Sequence, residues 1–127
     1  MFVEEFASAP KIGNLTRRPN HQGKDMMLFD LGLNKNDLDN NEMVFEKIQE
    51  VEDQFDLVMI AEQFSQSLVL LNNELCWEIQ DVTSFHLNGR QKDIKSQLNG
   101  TTRKLLKEYL KSDYVLYNHF LKIFQLN

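Results

Sequence analysis

Phe55-Asp56-Leu57-Val58-Met59-Ile60-Ala61-Glu62, running straight into Gln63-Phe64-Ser65-Gln66-Ser67-Leu68-Val69-Leu70-Leu71, is the stretch that decides how this chain is read. From Leu57 onward the first half does not alternate polar with apolar, so it reads as a strand buried on both faces, as parallel strands are. The second half sets Leu68, Leu71 and Leu75 at helical spacing, with Ser65 as the cap and Phe64 outside it. A strand that ends on a carboxylate and hands over to a helix is half of an α/β unit. The chain offers few strands to pair with it.

Upstream, Val44, Ile48, Val51 and Phe55 recur at steps of four, three and four, which predicts a helix to about Gln54, and Asp39 to Glu42 has capping-box spacing. Met26-Met27-Leu28-Phe29-Asp30-Leu31, closed by Gly32, reads as a second short strand, and residues 34 to 41 suit turns. Residues 1 to 25 hold both prolines, Gly13 and Gly23, and read as a loop-rich segment with a short helix over 2 to 7. The chain therefore divides into this segment and a unit from 26 to 127.

Downstream, Cys76-Trp77 reads as a buried cysteine beside an aromatic cap. Gln80 to Asn88 reads as a short extended segment, Asn88-Gly89-Arg90 as a turn and Lys92 to Leu98 as a modest helix. In the tail, Thr101 or Thr102 caps a helix to about Leu110, and Ser112 caps another with Leu116, Phe120 and Phe124 inward. Lys104, Lys107 and Lys111 form a solvated face.

Composition removes several function classes. With 127 residues the chain holds one domain, and 14 basic against 19 acidic side chains, net charge -5, offer no cluster to track a phosphate backbone, so nucleic acid is not an expected partner. The longest apolar run, Leu57 to Ala61, falls far short of the roughly 20 residues that cross a bilayer. Met1-Phe2-Val3-Glu4-Glu5-Phe6 lacks the basic flank of a signal peptide. Cys76 is alone, which favours a reducing compartment, whereas the sequons at Asn14 and Asn99 point toward glycosylation in a secretory one.

No metal is expected, since His21, His86 and His119 show no ligand spacing and there is no CxxC. Neither a GxSxG elbow nor a GxxxxGK[ST] phosphate loop occurs. Glu62 stands out: at the carboxyl end of a strand it can serve as base or hydrogen-bond acceptor, or simply anchor the next turn. Arg90, beside Asn88, can present a fork of donors to an anion or be an ordinary surface charge. His86 and His119 each neighbour an aromatic residue and read first as structural.

Residues 55 to 71, Leu75-Cys76-Trp77, Asp81-Val82 and Phe85-His86-Leu87-Asn88-Gly89-Arg90 resemble the carboxy-terminal half of the galactose-3-O-sulfotransferases, which include galactosylceramide sulfotransferase. Phe29-Asp30-Leu31-Gly32 and Asp113-Tyr114-Val115-Leu116-Tyr117-Asn118-His119-Phe120 extend the resemblance over about residues 26 to 124. It implies an α/β fold, part of a P-loop-NTPase-like sulfotransferase domain, helix-rich and with two or three short strands. It also implies a Golgi type II membrane glycoprotein, held by a signal-anchor transmembrane segment this chain does not carry, with the catalytic part in the lumen.

The implied activity is transfer of a sulfuryl group from 3'-phosphoadenylyl sulfate (PAPS) to the 3-hydroxyl of a terminal β-galactose on a glycolipid or glycan. On that reading Glu62 and His86 are the candidates for catalysis, Asn88 and Arg90 for acceptor binding, and Asn14 and Asn99 for glycosylation; no residue here is assigned to the donor. The chain is then a carboxy-terminal piece, without activity by itself. The alternatives are an inactive interaction domain of the same descent and a related glycosaminoglycan uronyl sulfotransferase.

Overall fold

The computed structural model describes residues 23–83 and 99–126. Through them run five helices, α1 (Met26–Asp30), α2 (Asn41–Gln54), α3 (Phe64–Glu74), α4 (Gly100–Tyr109) and α5 (Lys111–Leu126), and a 3-10 turn, Ala61–Gln63, leads into α3. No strand occurs among the described residues, so the expected α/β sheet of two or three short strands is corrected to a helical packing.

The long helices follow local rules. In α2 the Asn40 Oδ1 accepts from the backbone N–H of Glu42 at 3.1 Å and of Met43 at 3.5 Å, satisfying donors that a helix start leaves open. Asp39, expected to cap, instead pairs with Lys24, whose hydrogen bond holds its carboxyl below the usual range. Val44, Ile48 and Val51 face inward as their spacing predicts, whereas Phe55 leaves the helix in an extended conformation and is half exposed. In α5 Leu116, Phe120 and Phe124 form the inward stripe. These two stripes meet Leu28, Leu33, Leu38 and Ile60 in one core.

Two carboxylates close that core at its end by an exchange. Asp25 Oδ1 accepts from the backbone N–H of Ser112 at 3.1 Å and of Asp113 at 2.9 Å, capping α5. Asp113 in return accepts from Met27 N at 3.0 Å and Leu28 N at 2.9 Å, capping α1. Each negative charge thus sits at the positive end of the other segment's helix. The Ser112 hydroxyl, expected to cap, donates to the Leu38 carbonyl.

This exchange explains why Met26 to Leu31 is helical despite its strand-like composition. Its first free N–H groups are satisfied by Asp113, 85 and 86 residues away, a tertiary contact that overrides local propensity. Gly32, at φ +97°, then ends the helix: its N–H donates to Phe29 O and that of Leu33 to Leu28 O, the pattern of a left-handed glycine stop.

Phe55 and Ile60 are extended, Asp56 between them forms a bend, and the segment has no ladder partner among the described residues. Its apolar run is held by side chains: Ile60 belongs to the core, and Ser67 Oγ accepts from Ile60 N at 3.0 Å while donating to Ile60 O at 3.1 Å. Accordingly α3 buries Ser67 rather than Leu75, which is exposed, and no side chain caps its start. Cys76, expected to be buried beside an aromatic cap, is exposed, as is Trp77; Cys76 adopts φ +51° where α3 stops. In α4 the cap is Asn99, whose Oδ1 accepts from Thr102 N at 2.7 Å, and neither threonine plays that part.

Candidate functional site

Glu62 occupies the 3-10 turn between the segment Phe55 to Ile60 and α3, so the carboxylate does sit at the hand-over, but at the end of a segment without a strand partner among the described residues. Ser67 fixes the backbone just before it, and Gln63 N donates to Ile60 O at 3.0 Å to close the turn. The side chain is exposed. Tyr117, from the middle of α5, donates its hydroxyl to Glu62 Oε2 at 3.4 Å. Burial of the ring and then the Glu62 carboxylate push the Tyr117 phenol above its ordinary value.

That pair stands where two clefts meet. The larger, about 550 Å3, is bounded by the extended segment, α1, α2 and α5, and apart from Glu62 and Tyr117 its side chains are apolar, including Leu31, Leu57, Met59 and Phe120. The smaller, about 320 Å3, shares Met27, Glu62 and Tyr117 and adds Leu110, Asp113 and Tyr114. Both Asp113 oxygens already accept backbone N–H groups, so of the described carboxylates lining the clefts Glu62 is the one left to meet a ligand. Lys107 Nζ lies 5.5 Å from the centre of the Tyr114 ring.

A carboxylate and a phenol among apolar walls suit a neutral, hydroxylated molecule. Among the described residues neither cleft is lined by Lys or Arg, so these residues alone do not fit the multiply charged PAPS that the resemblance implies, and no step is derived through it. Among the described residues no group of three or more His, Cys, Asp or Glu could hold a metal.

The other residues singled out by the sequence are not gathered at this place. His86, Asn88, Arg90 and Asn14 lie outside the described residues, as do the loop over 1 to 22, His21 and the helix over 92 to 98. His119 of α5 is partly buried, places Nε2 at 2.7 Å from Glu52 Oε2 of α2 and sets its ring edge-on to Phe120, a structural arrangement. Asn99 uses its oxygen as a helix cap. Tyr117 and Tyr114 were not legible as site residues. Their one signal was the Tyr-x-x-Tyr spacing on a helix whose other stripe is core.

The profile of the galactose-3-O-sulfotransferase family matches residues 3–126. The chain is 36% identical over 124 residues to galactose-3-O-sulfotransferase 2 of Mus musculus, covering 96% of this chain and 32% of that protein. It is 41% identical over 101 residues to galactosylceramide sulfotransferase of Bos taurus, covering 79% and 24%. With Homo sapiens galactose-3-O-sulfotransferase 2 the identity is 39% over 130 residues, covering 94% and 33%. No solved structure matches significantly.

The class these matches define is a family of sulfotransferases. The chain belongs to the galactose-3-O-sulfotransferase family. It spans about a quarter to a third of the length of these relatives.

Two expectations are corrected by these findings. The family domain reaches back to residue 3, so a carboxy-terminal piece confined to residues 26 to 124 was too narrow a reading. Residues 1 to 25 read as mostly loop beyond a short helix over 2 to 7, which is why their membership could not be seen from pattern. The membrane and signal-anchor expectation also finds no support, because no helix among the described residues is long and apolar enough to cross a membrane.

Proposed function

We propose that this chain serves the family's reaction, sulfuryl transfer from PAPS to the 3-hydroxyl of a terminal β-galactose on a glycolipid or glycan, and that it supplies the acceptor side. The observation that carries this reading is Glu62, held by Tyr117 at the mouth of clefts that have no cationic lining among the described residues, in a chain matched by the family profile from residue 3 to 126. A carboxylate so placed can accept a hydrogen bond from a sugar hydroxyl and take its proton as that oxygen becomes nucleophilic. The donor grip is left to groups outside these clefts, with Asn88 and Arg90 as further acceptor contacts. The Golgi lumen as the place of action rests on the family resemblance.

The test is binding of methyl β-galactoside to the 127-residue chain, with labelled PAPS added in a parallel transfer assay. Wild type should bind the galactoside, Glu62→Gln should weaken it, and the chain by itself should transfer no sulfate, having no glycine loop for phosphate. Binding untouched by Glu62→Gln would remove the carboxylate from the reading. Turnover clearly above background would show a donor site within these residues.

A further inference from the structure

The smaller cleft differs from the larger in what it can satisfy. A pyranoside pressed into the larger one would lose water from its hydroxyls against Leu31, Leu57 and Phe120, with few partners in return. In the smaller one Tyr114 and Tyr117, three residues apart on α5, line the same space and Glu62 closes it. Tyrosines offer a pyranose what it needs, an aromatic face for its C–H side and a hydroxyl for its polar edge. The volume, about 320 Å3, is of the order of a small-molecule site.

We propose that the cleft between Glu62, Tyr114 and Tyr117 is a saccharide subsite, in which the two tyrosines carry the apolar face of a β-galactoside and Glu62 accepts from its hydroxyls. This rests on the reading of the chain as the acceptor side of the family's reaction, and it adds where the sugar lies and what stacks on it. The sugar's hydroxyls meet Glu62 because the Asp113 oxygens are engaged in capping α1. Tyr117 has a second duty as a positioning residue, since its hydroxyl sets the rotamer of Glu62.

The experiment is titration of the full chain with methyl β-galactoside followed by backbone NMR shifts, repeated for Tyr114→Ala, Tyr114→Phe and, as a control on the same helix, Val115→Ala. Shifts should centre on Tyr114, Tyr117 and Glu62. Tyr114→Ala should weaken binding by about tenfold, Tyr114→Phe should retain it, and Val115→Ala should leave it unchanged. Tyr114 and Val115 are both exposed, so folding is preserved in all three variants.

Shifts that centre on Leu31 and Leu57, or no saturable binding at millimolar concentration, would overturn the subsite. A parallel titration with methyl β-glucoside separates this failure from that of the reaction. Equal binding of both epimers through Tyr114 would support the subsite while counting against galactose as the acceptor. Galactoside shifts in the larger cleft would do the reverse.

Discussion

Helices α5 and α3 carry similar apolar content and meet opposite fates. α5 sinks Leu116, Phe120 and Phe124 into the core and is tied down by the Asp25 carboxylate at its start, whereas α3 buries Ser67 alone and leaves Phe64 and Val69 half exposed. The difference is one of spacing and of polar closure. In α5 the inward residues fall at steps of four, on one face, and its first N–H groups are satisfied by a residue 87 positions away. In α3 the run Leu68-Val69-Leu70-Leu71 wraps around the helix, so no single neighbour can cover it.

The sharpest way to break this contrast is truncation on both helices. Phe120→Ala should cost about 3–5 kcal/mol of folding stability, and Val69→Ala should stay within about 0.5 kcal/mol, both read from denaturant unfolding. Equal losses would mean that α3 is as deeply packed as α5. Next in size is Ser67→Ala, which strands the buried Ile60 N–H and should cost about 1–3 kcal/mol, far more than an Ala substitution at the neighbouring exposed Gln66. Gly32→Ala should cost about 1–2 kcal/mol, because φ +97° strains any L side chain although the new methyl would meet only Lys47 Nζ, at an ordinary contact distance of 3.9 Å.

The least expected effect concerns pH. Burial is the main influence that raises the Asp25 carboxyl; the neighbouring Asp113 charge adds to it, while Lys24 and the N–H groups of Asp113 and Ser112 oppose it. Its Oδ2 is buried without a partner among the described residues, so a proton there leaves the capping Oδ1 in place. A raised folded value means that the folded state holds the proton more tightly. The contribution of Asp25 to stability is therefore full below the ordinary carboxylate range and is lost as pH rises through the folded value. Asp25→Asn keeps the accepting oxygen and should remove that decline, seen as a difference between the two stability profiles; Asp39, which Lys24 shifts the other way, is common to both and cancels.

What the sequence made legible follows the range of the contacts. The stripes of α2 and α5 are set within single helices, so their periods named Val44, Ile48, Val51, Leu116, Phe120 and Phe124 correctly. Met26 to Leu31 was misread because its helix depends on Asp113, and Phe55 to Ile60 because an apolar run does not say whether a ladder partner exists. At the site, Glu62 was legible from its place at the end of that run. Tyr117 lies 55 residues further on, and only the packing of α5 against the extended segment brings them together.

Everything about the site depends on Phe55 to Ile60 having no ladder partner among the described residues and being pinned by Ser67, and amide hydrogen exchange across it is the most direct test. Protection is expected at Ile60, and at Phe55, whose N–H donates to Val51 O, with fast exchange at Leu57, Val58 and Met59. Regular protection through Leu57, Val58 and Met59 that survives Ser67→Ala would reveal a paired strand and contradict the account.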